Sequence, residues 1–349
     1  MPGSEVGETE ARDTSADGMK KRTLAFVAIV AFSVIAVALV VRPPRRERVG
    51  RLALATILPV ADMARNVAGD RFVVETLLPP GASPHTFEPT ARELMALHDA
   101  EIVFKIGLDL ELWADKLLSA AGGERLRIVT VSGGIDLLPN MPDEHAKHDG
   151  TEAQDHHHAD GHEHGEFNPH VWLDPVNAVS IVGTMAEAFA DADPEGARVY
   201  AANAARYTVE LARLDTEYRC ALSGLESRRV VAFHNSFSYL ARRYGIEVVG
   251  LVEKSPGKEP DARHVRALID RIRALGVKAV LIEPQLSPKV AEALARDAGA
   301  SVVRVDPLGD PAAPERSTYL ALMRSNLKVL VNGLGGRFGG AARVDGGDE

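Results

Sequence analysis

Short apolar segments rich in β-branched residues alternate with helical segments along most of this chain. They form two series of four, at 52–58, 72–78, 101–107 and 127–131, and then at 229–234, 246–252, 278–284 and 301–306. Strand–helix alternation is typical of parallel sheets covered by helices, because parallel neighbours need a long crossover connection. The pattern predicts an α/β fold of two lobes, each built on a mainly parallel sheet.

Residues 176–224 separate the two series and carry almost no strand signal. From Pro194 to about Leu222, apolar residues recur at spacings of three and four, which predicts one helix of about 28 residues. Such a helix would be about 42 Å long and could join both lobes as a stiff connector.

The domain organisation follows from this pattern. We predict an N-terminal lobe over 51–175, a connecting helical segment over 176–224 and a C-terminal lobe over 225–335. The last segment, 336–349, is rich in glycine and charge, and we expect a flexible tail there.

An apolar run over 23–41 has no charged residue and is about as long as a bilayer-spanning helix. Basic residues precede it and small residues near its end offer a cleavage pattern, so it is interpreted as a signal peptide or an uncleaved membrane anchor. A polar segment, 1–22, comes first. Translation from Met19 instead of Met1 would leave a conventional signal. Arginines also follow the run, so basic residues lie on both sides of it and the positive-inside rule does not decide its orientation in the membrane.

The net charge of −9 is concentrated in one segment. Residues 143–166 hold eight acidic residues, one lysine and seven of the twelve histidines, which leaves the rest of the chain nearly neutral. A near-neutral body lacks the basic surface that binds phosphate backbones, so nucleic acid is not an expected partner. The segment itself is interpreted as a disordered, metal-collecting loop, with a merely solvated acidic loop as the alternative.

Cys220 is the only cysteine. An intramolecular disulfide and a cysteine-rich zinc or iron–sulfur site are therefore excluded. Any metal must be held by histidine, aspartate or glutamate.

Four candidate ligands lie at strand ends or in neighbouring loops, where open α/β sheets bind their ligands. His85 lies in GASPHTFEPT, His170 in NPHVWLDP, His234 at the end of RVVAFH and Asp306 at the end of SVVRVD. Two come from each predicted lobe, so the cleft between the lobes would bring them together. Three imidazoles and one carboxylate suit tetrahedral Zn²⁺. Asp306 precedes a proline and could instead simply begin a turn.

Other residues near these positions have two interpretations each. His98 and His264 are interpreted as ordinary hydrogen-bonded or solvent-facing histidines. Glu283, at a predicted strand end, either orients a ligand histidine or is only a strand-end acid. Trp172 and Phe233 neighbour candidate ligands and either exclude water from a metal or simply pack in the core.

Four longer motifs span most of residues 51–335: GASPHTFEPTARELMALHDAEIVFKIGLDLELW, NPHVWLDPVNA, FHNSFSYLARRYGIEVVGLV and EPQLSPKVAEALARDAGASVVRVDPLG. Through them the chain resembles the extracytoplasmic zinc and manganese receptors of bacterial metal ABC importers. The resemblance implies two α/β lobes joined by one long helix and a metal held in the cleft by His85, His170, His234 and Asp306. It also implies a binding protein, expected to be a monomer and not an enzyme, that delivers its ion to an ABC permease in the membrane.

In this family the manganese receptors tend to carry a carboxylate at the third ligand position and the zinc receptors a histidine. His234 therefore implies Zn²⁺ as the transported ligand, in agreement with the preference of imidazole for zinc. The alternatives are a manganese or iron receptor of the same architecture, a zinc-dependent hydrolase, and a metal buffer or adhesin without a transporter. The chain has no HExxH motif. It also has no lipid-anchoring cysteine after the apolar run, so we expect it in the periplasm or held by its N-terminal helix on the outer face of the cytoplasmic membrane.

Overall fold

The computed structural model describes residues 50–121, 126–140, 165–253 and 260–338. The predicted signal or anchor at 23–41, all seven histidines of the 143–166 segment and most of the predicted tail lie outside the described residues. Within the described ranges, no helix is both long enough and apolar enough to cross a lipid bilayer.

Eight strands in the described residues form two four-stranded sheets. The first sheet, in the order β2-β1-β3-β4, contains β1 (Arg51–Ala55), β2 (Phe72–Thr76), β3 (Ile102–Lys105) and β4 (Arg127–Thr130). The second sheet, in the order β6-β5-β7-β8, contains β5 (Arg229–Ala232), β6 (Glu247–Leu251), β7 (Ala279–Ile282) and β8 (Ser301–Arg304). Every neighbouring pair is parallel, and all eight strands lie where the sequence predicts one. The predicted fold class is confirmed.

Helices follow the strands as crossover connections. The α-helices in the described residues are α1 (Leu58–Ala68), α2 (Ala91–Asp99), α3 (Leu112–Ala121), α4 (Pro175–Ala192), α5 (Ala197–Ser223), α6 (Ser238–Tyr244), α7 (Ala262–Leu275), α8 (Pro288–Ala298) and α9 (Tyr319–Gly333). Strand β7 is buried along its whole length, and β1 is buried from its second residue onward. Such continuous burial is typical of parallel strands covered by helices on both faces.

The strands end earlier than the apolar runs that predict them. Strand β1 stops at Ala55, whereas the run continues to Leu58. Ile57 is buried but serves as the N-cap position of α1, and Pro59 lies in the first turn of that helix. The apolar run therefore continues into the crossover because the start of the helix packs against the same core.

One continuous apolar core extends through both sheets and includes Leu54 of β1 and Leu281 of β7. A second, smaller cluster lies in the C-terminal half, where Phe233 packs with residues of β7, α7 and α8. Of the two interpretations of Phe233, the structure supports packing in the core.

Helix α5 is the predicted long helix and contains 27 residues, about 40 Å of chain. It begins at Ala197, three residues later than predicted, because Pro194 starts a separate 3₁₀ turn, Pro194–Gly196. Its buried side chains follow spacings of three and four along one stripe: Tyr200, Ala204, Tyr207, Leu211, Leu214, Tyr218 and Leu222. The helix packs against α4, α1 and α9, and so contacts elements from both halves of the chain. The lobe boundaries at 175 and 224 stay predictions.

Hydrogen bonds from buried aromatic side chains join the 168–172 segment to the C-terminal half. Tyr239 Oη donates to the Asn168 carbonyl oxygen at 2.8 Å, and Tyr319 Oη donates to the Trp172 carbonyl oxygen at 2.7 Å. In the opposite direction, Trp172 Nε1 donates to the Pro307 carbonyl oxygen at 2.8 Å. These bonds hold the loop that carries His170 against α6, against α9 and against the residue that follows Asp306.

Candidate metal centre

Three histidine side chains from both halves of the chain meet at one point. His170 Nε2 lies 3.3 Å from His85 Nε2 and 3.3 Å from His234 Nε2. One ring nitrogen of each lies within 4.8 Å of the other two. His170 and His234 are buried, and His85 is half-buried. Among the described residues, no other cluster of potential metal ligands has this geometry.

The spacing of the ring nitrogens suits a small tetrahedral ion. Zinc–nitrogen bonds of about 2.0–2.1 Å at tetrahedral angles place two ligand nitrogens about 3.3–3.4 Å apart. The two separations measured from His170 match this value. Two of the three separations thus match the spacing of zinc ligands, and the third, between His85 and His234, is no more than 4.8 Å.

His85 is positioned by contacts with Trp113 of α3. Trp113 Nε1 donates to the Pro84 carbonyl oxygen at 2.9 Å, and its ring meets Phe87 edge-on at 4.9 Å between centroids. The backbone nitrogen of His85 also donates to Ser83 Oγ at 3.4 Å. Trp113 is buried, as a core residue would be, but its hydrogen bond to the ligand loop has no signal in the sequence.

His170 is oriented by Asn168. Asn168 Oδ1 accepts from the His170 backbone nitrogen at 2.9 Å and lies 3.0 Å from His170 Nδ1. A carbonyl oxygen can only accept, so Nδ1 carries the proton and Nε2 presents its lone pair to the other two rings. Trp172 is buried, packs against this imidazole with 5.3 Å between ring centroids and also lines the cavity, so its position is compatible with both of its interpretations.

His234 follows β5 and is oriented by Glu283 at the end of β7. His234 Nδ1 lies 2.5 Å from Glu283 Oε1, and Ser236 Oγ donates to the same oxygen at 2.7 Å. Burial by itself lowers the pKa of His234, but the Glu283 and Glu253 carboxylates outweigh it and raise this pKa above its ordinary value. Of the two interpretations of Glu283, the geometry supports the orienting one.

Replacing Glu283 with glutamine is expected to weaken zinc binding about 10- to 100-fold, because the partner that orients a ligand imidazole and raises its basicity is lost. Competition titration against a chromophoric chelator measures this change. Glu292→Gln is the matched control, since Glu292 is an exposed residue of α8 away from the three histidines. Equal affinities for the Glu283→Gln and Glu292→Gln proteins would contradict the orienting role.

Asp306, the fourth predicted ligand, does not join the three histidines. It is buried, and its Oδ2 lies 2.6 Å from Nη1 of Arg316. Its Oδ1 accepts from the backbone nitrogens of Leu308 and Gly309 at 2.9 and 3.0 Å and from Gln285 Nε2 at 3.1 Å. The carboxylate is thus engaged by a guanidinium and three further donors. The alternative interpretation, that Asp306 begins a turn, agrees with this geometry, because the Asp306 carboxylate accepts hydrogen bonds from the backbone of the turn that follows.

A small cavity of about 20 Å³ adjoins the three imidazoles. Its walls come from both halves of the chain and include two carboxylates, Glu253 and Glu283, which favour a cation. A volume of this size holds about one water molecule, whereas pockets for organic ligands measure about 300–1,000 Å³. The space directly beside the imidazoles is thus about the size of one small ion or one water molecule.

The remaining described histidines lie outside the group, as predicted. The side chain of His98 is exposed on α2, and Nε2 of His264 on α7 lies 2.7 Å from the Leu251 carbonyl oxygen.

Comparisons with known proteins agree with this arrangement. Residues 54–333 match the model of the family described as zinc-uptake complex component A, periplasmic. The chain is 29% identical over 282 residues to the zinc-binding protein AdcA of Streptococcus pyogenes serotype M3, which covers 79% of this chain and 55% of AdcA. It thus spans about half the length of that relative.

Two further similarities cover nearly the whole of the matched protein. The iron-binding protein YfeA of Yersinia pestis is 30% identical over 321 residues, which cover 90% of this chain and 96% of YfeA. The crystal structure of the Zn(II)-bound ZnuA-like domain of Streptococcus pneumoniae AdcA aligns with a TM-score of 0.65 at 28% identity, covering 82% of this chain and 99% of that domain.

Proposed function

Because the chain belongs to the family of periplasmic zinc-uptake components, we propose that it captures one Zn²⁺ outside the cytoplasm and delivers it to an ABC permease. The observation that carries the proposal is the set of three Nε2 atoms with His170 3.3 Å from each of the others. His85, His170 and His234 are the proposed ligands, and Asn168 and Glu283 orient two of them.

Zinc is the proposed ion, since all three clustered donors are imidazoles and the third position, His234, is not a carboxylate. The second candidate is iron or manganese, and its support is the similarity to a relative described as iron-binding. Carboxylate and water ligands suit manganese better than imidazole does. A preference for zinc is therefore the expected outcome.

We propose a binding role without catalysis. A zinc hydrolase needs an open coordination position and a pocket that admits its substrate. The cavity of about 20 Å³ beside the three imidazoles is far smaller than the pockets of about 300–1,000 Å³ that hold organic ligands, which supports binding of an ion alone. Hydrolysis of model esters or peptides by the zinc-loaded protein, at a rate above that of free zinc, would overturn this part of the proposal.

Metal titration of chelator-stripped protein tests the proposed function. We expect one tight zinc site per chain that an excess of manganese or iron(II) does not occupy. A variant lacking residues 143–164 separates this site from weaker binding by the histidine-rich segment. Its ends can be joined, because the Asn140 backbone nitrogen donates to the Glu166 carbonyl oxygen at 3.1 Å. If the variant lacking residues 143–164 lost tight zinc binding, the main site would lie in the histidine-rich segment instead.

The location and partners belong to the same proposal. The run at 23–41 is proposed to export the chain or to hold it on the outer face of the cytoplasmic membrane. N-terminal sequencing of the exported protein distinguishes the two, since a mature end before Thr23 excludes cleavage.

Delivery to a permease predicts that cells lacking this chain lose high-affinity zinc uptake. The wild-type chain should restore this uptake, whereas a variant without the histidine site should not. Sedimentation of the purified protein tests the expected monomer.

A further inference from the structure

A second, larger cavity of about 410 Å³ lies where strands β1 and β2 end. Its volume falls within the range of about 300–1,000 Å³ that is typical of pockets for small organic ligands. Open α/β sheets bind their ligands at this edge of the sheet. The described residues that line it do not include the three histidines, but they include Leu308, which also lines the smaller cavity beside the imidazoles. Zinc capture therefore leaves the larger cavity without a role.

The walls of this cavity come from both halves of the chain. The N-terminal half contributes the ends of β1 and β2, parts of α1 and α2, and the 77–82 loop that follows β2, whereas the C-terminal half contributes residues between Leu308 and Ser317. The apolar part of the walls includes Leu54, Leu58, Leu78, Pro79, Pro80 and Leu308. Such a lining favours a ligand with an apolar body.

Backbone hydrogen bonds hold both walls in place. After β2, the Leu77 backbone nitrogen donates to the Ala55 carbonyl oxygen at 2.8 Å. On the opposite wall, the Asp310 backbone nitrogen donates to the Arg316 carbonyl oxygen at 3.1 Å. Gly309 has a φ of +80°, and a Cβ there would lie 2.6 Å from the Arg316 carbonyl oxygen, so glycine is required for this close return of the chain. The cavity is therefore largely preformed, and a ligand can bind without first ordering its walls.

Two guanidinium groups in the walls can bind an anion. The backbone nitrogen of Arg92 donates to Thr90 Oγ1 at 3.3 Å, but its guanidinium has no hydrogen-bond or ion-pair partner in the described part of the chain. The Arg65 guanidinium donates to two neutral acceptors, the Val74 carbonyl oxygen at 3.1 Å and Thr76 Oγ1 at 3.3 Å. Guanidinium groups form their strongest hydrogen bonds with carboxylates and phosphates. The cavity therefore offers a site for an acidic group.

Two carboxylates in the same walls limit the charge of that ligand. Glu93 Oε2 accepts from the backbone nitrogen and from Oγ1 of Thr90 at 2.8 and 2.5 Å, so this carboxylate is engaged at the start of α2. Glu75 also lines the cavity, so the two guanidinium groups and the two carboxylates balance. A ligand with several negative charges would be repelled by Glu75, whereas a single carboxylate can pair with Arg92. This balance favours a monocarboxylate over a phosphate ester or a dicarboxylate.

We propose that this cavity binds a small organic monocarboxylic acid, with its carboxylate at Arg92 and Arg65 and its apolar body against the leucine and proline walls. The site is separate from the histidine centre and goes beyond the proposed capture of zinc. Because the ligand would contact both halves of the chain in their folded arrangement, its binding should also raise the thermal stability of the protein.

Titration of the zinc-loaded, full-length protein with hydrocinnamate, followed by ligand-observed NMR, tests the inference. Hydrocinnamate carries a phenyl group and one carboxylate. Phenylalanine is the same molecule with an added ammonium group, and hydrocinnamamide is its uncharged amide. We expect one hydrocinnamate to bind per chain with a Kd below about 1 mM. Both analogues should bind at least about tenfold more weakly.

Arg92→Gln should weaken hydrocinnamate binding at least about tenfold, because the charge partner of the carboxylate is lost. Arg263→Gln is the matched control, since Arg263 is also an exposed arginine at the second position of a helix, and its backbone nitrogen also donates to a capping side chain. Glu75→Gln should strengthen binding about two- to fivefold by removing a negative charge from the wall.

A steric variant tests the place of binding independently of charge. Ala96 of α2 lines the cavity, so Ala96→Phe should fill it and abolish hydrocinnamate binding. The zinc affinity of this variant should stay within about threefold of wild type, because Ala96 does not line the cavity beside the imidazoles. A thermal melt verifies that it folds.

The same titration of zinc-free protein separates this cavity from the histidine centre, because a carboxylate can also bind a metal ion directly. The absence of saturable binding, binding that requires zinc, equal binding of either analogue, or equal affinities of the Arg92→Gln and Arg263→Gln proteins would each overturn the inference. A tight zinc site would leave the proposed function standing in all of these cases. A protein that bound hydrocinnamate but not zinc would remove the proposed function alone.

Discussion

Zinc binding is expected to weaken about a thousandfold when His170 is replaced by alanine. His170 is the ring whose Nε2 lies 3.3 Å from both other Nε2 atoms, so its loss leaves two nitrogens from opposite halves of the chain. Structural zinc sites bind with roughly 10–16 kcal/mol, and one of three protein ligands supplies about a third of that. A loss of about 3–5 kcal/mol corresponds to roughly 10²- to 10⁴-fold in affinity.

The measurement is competition titration with zinc, combined with a thermal melt to verify folding. His98→Ala and His264→Ala are the controls, since both histidines lie in the described structure outside the ligand group. His234→Ala should resemble His170→Ala, whereas Asp306→Asn should keep most of the affinity. If His170→Ala stayed within about tenfold of the His98→Ala protein, the three-histidine centre would be wrong.

A drop from about pH 7.5 to about pH 5.5 is expected to weaken zinc binding at least about a hundredfold. Zinc binds neutral imidazole, and the ordinary pKa of histidine is about 6.5, so protons compete with the ion over this range. Burial lowers the pKa of His234, but Glu283 and Glu253 raise it by more, so the net direction is upward. A raised pKa means that protonation of His234 begins at a higher pH, and competition therefore starts earlier on acidification.

Chelator competition calibrated at each pH measures this dependence. In Glu283→Gln the onset of the loss should move to lower pH, because the carboxylate that favours protonated His234 is gone, even though the affinity at neutral pH is weaker. An affinity that stays flat across the whole range would contradict coordination by three histidines. A flat profile would instead require ligands that do not titrate there, such as carboxylates.

The order of elements could be predicted because the relevant signals are local. All eight strands and the long helix were expected from apolar runs and from spacings of three and four, which report on a side chain's own element. The boundaries were less accurate, since the apolar run after β1 belongs to the start of α1 and the Pro194 turn delays α5. Packing against a common core makes strand ends and helix starts look alike in sequence.

Part of the geometry of the candidate site could be predicted. His85, His170 and His234 meet because loops at the same edge of parallel sheets converge whatever their separation along the chain, and their role as metal ligands stays a prediction. Glu283 could be suggested from its place at the end of β7. Asn168 and Trp113 were missed, because an amide two residues before a histidine and a tryptophan in an apolar helix are common in sequences without any site.

Local periodicity and the positions of three histidines were therefore enough to predict the α/β architecture and a candidate metal centre. Which ring nitrogen of His170 faces the other two imidazoles, and which groups hold the Asp306 carboxylate, depended on side chains brought together from distant segments. The Asp306–Arg316 pair forms because the turn after β8 folds back on itself, and Asn168 and Glu283 reach their imidazoles only after both halves of the chain have packed. Charge pairing and hydrogen-bond direction depend on distances in space, and residue spacing along a chain does not encode those distances.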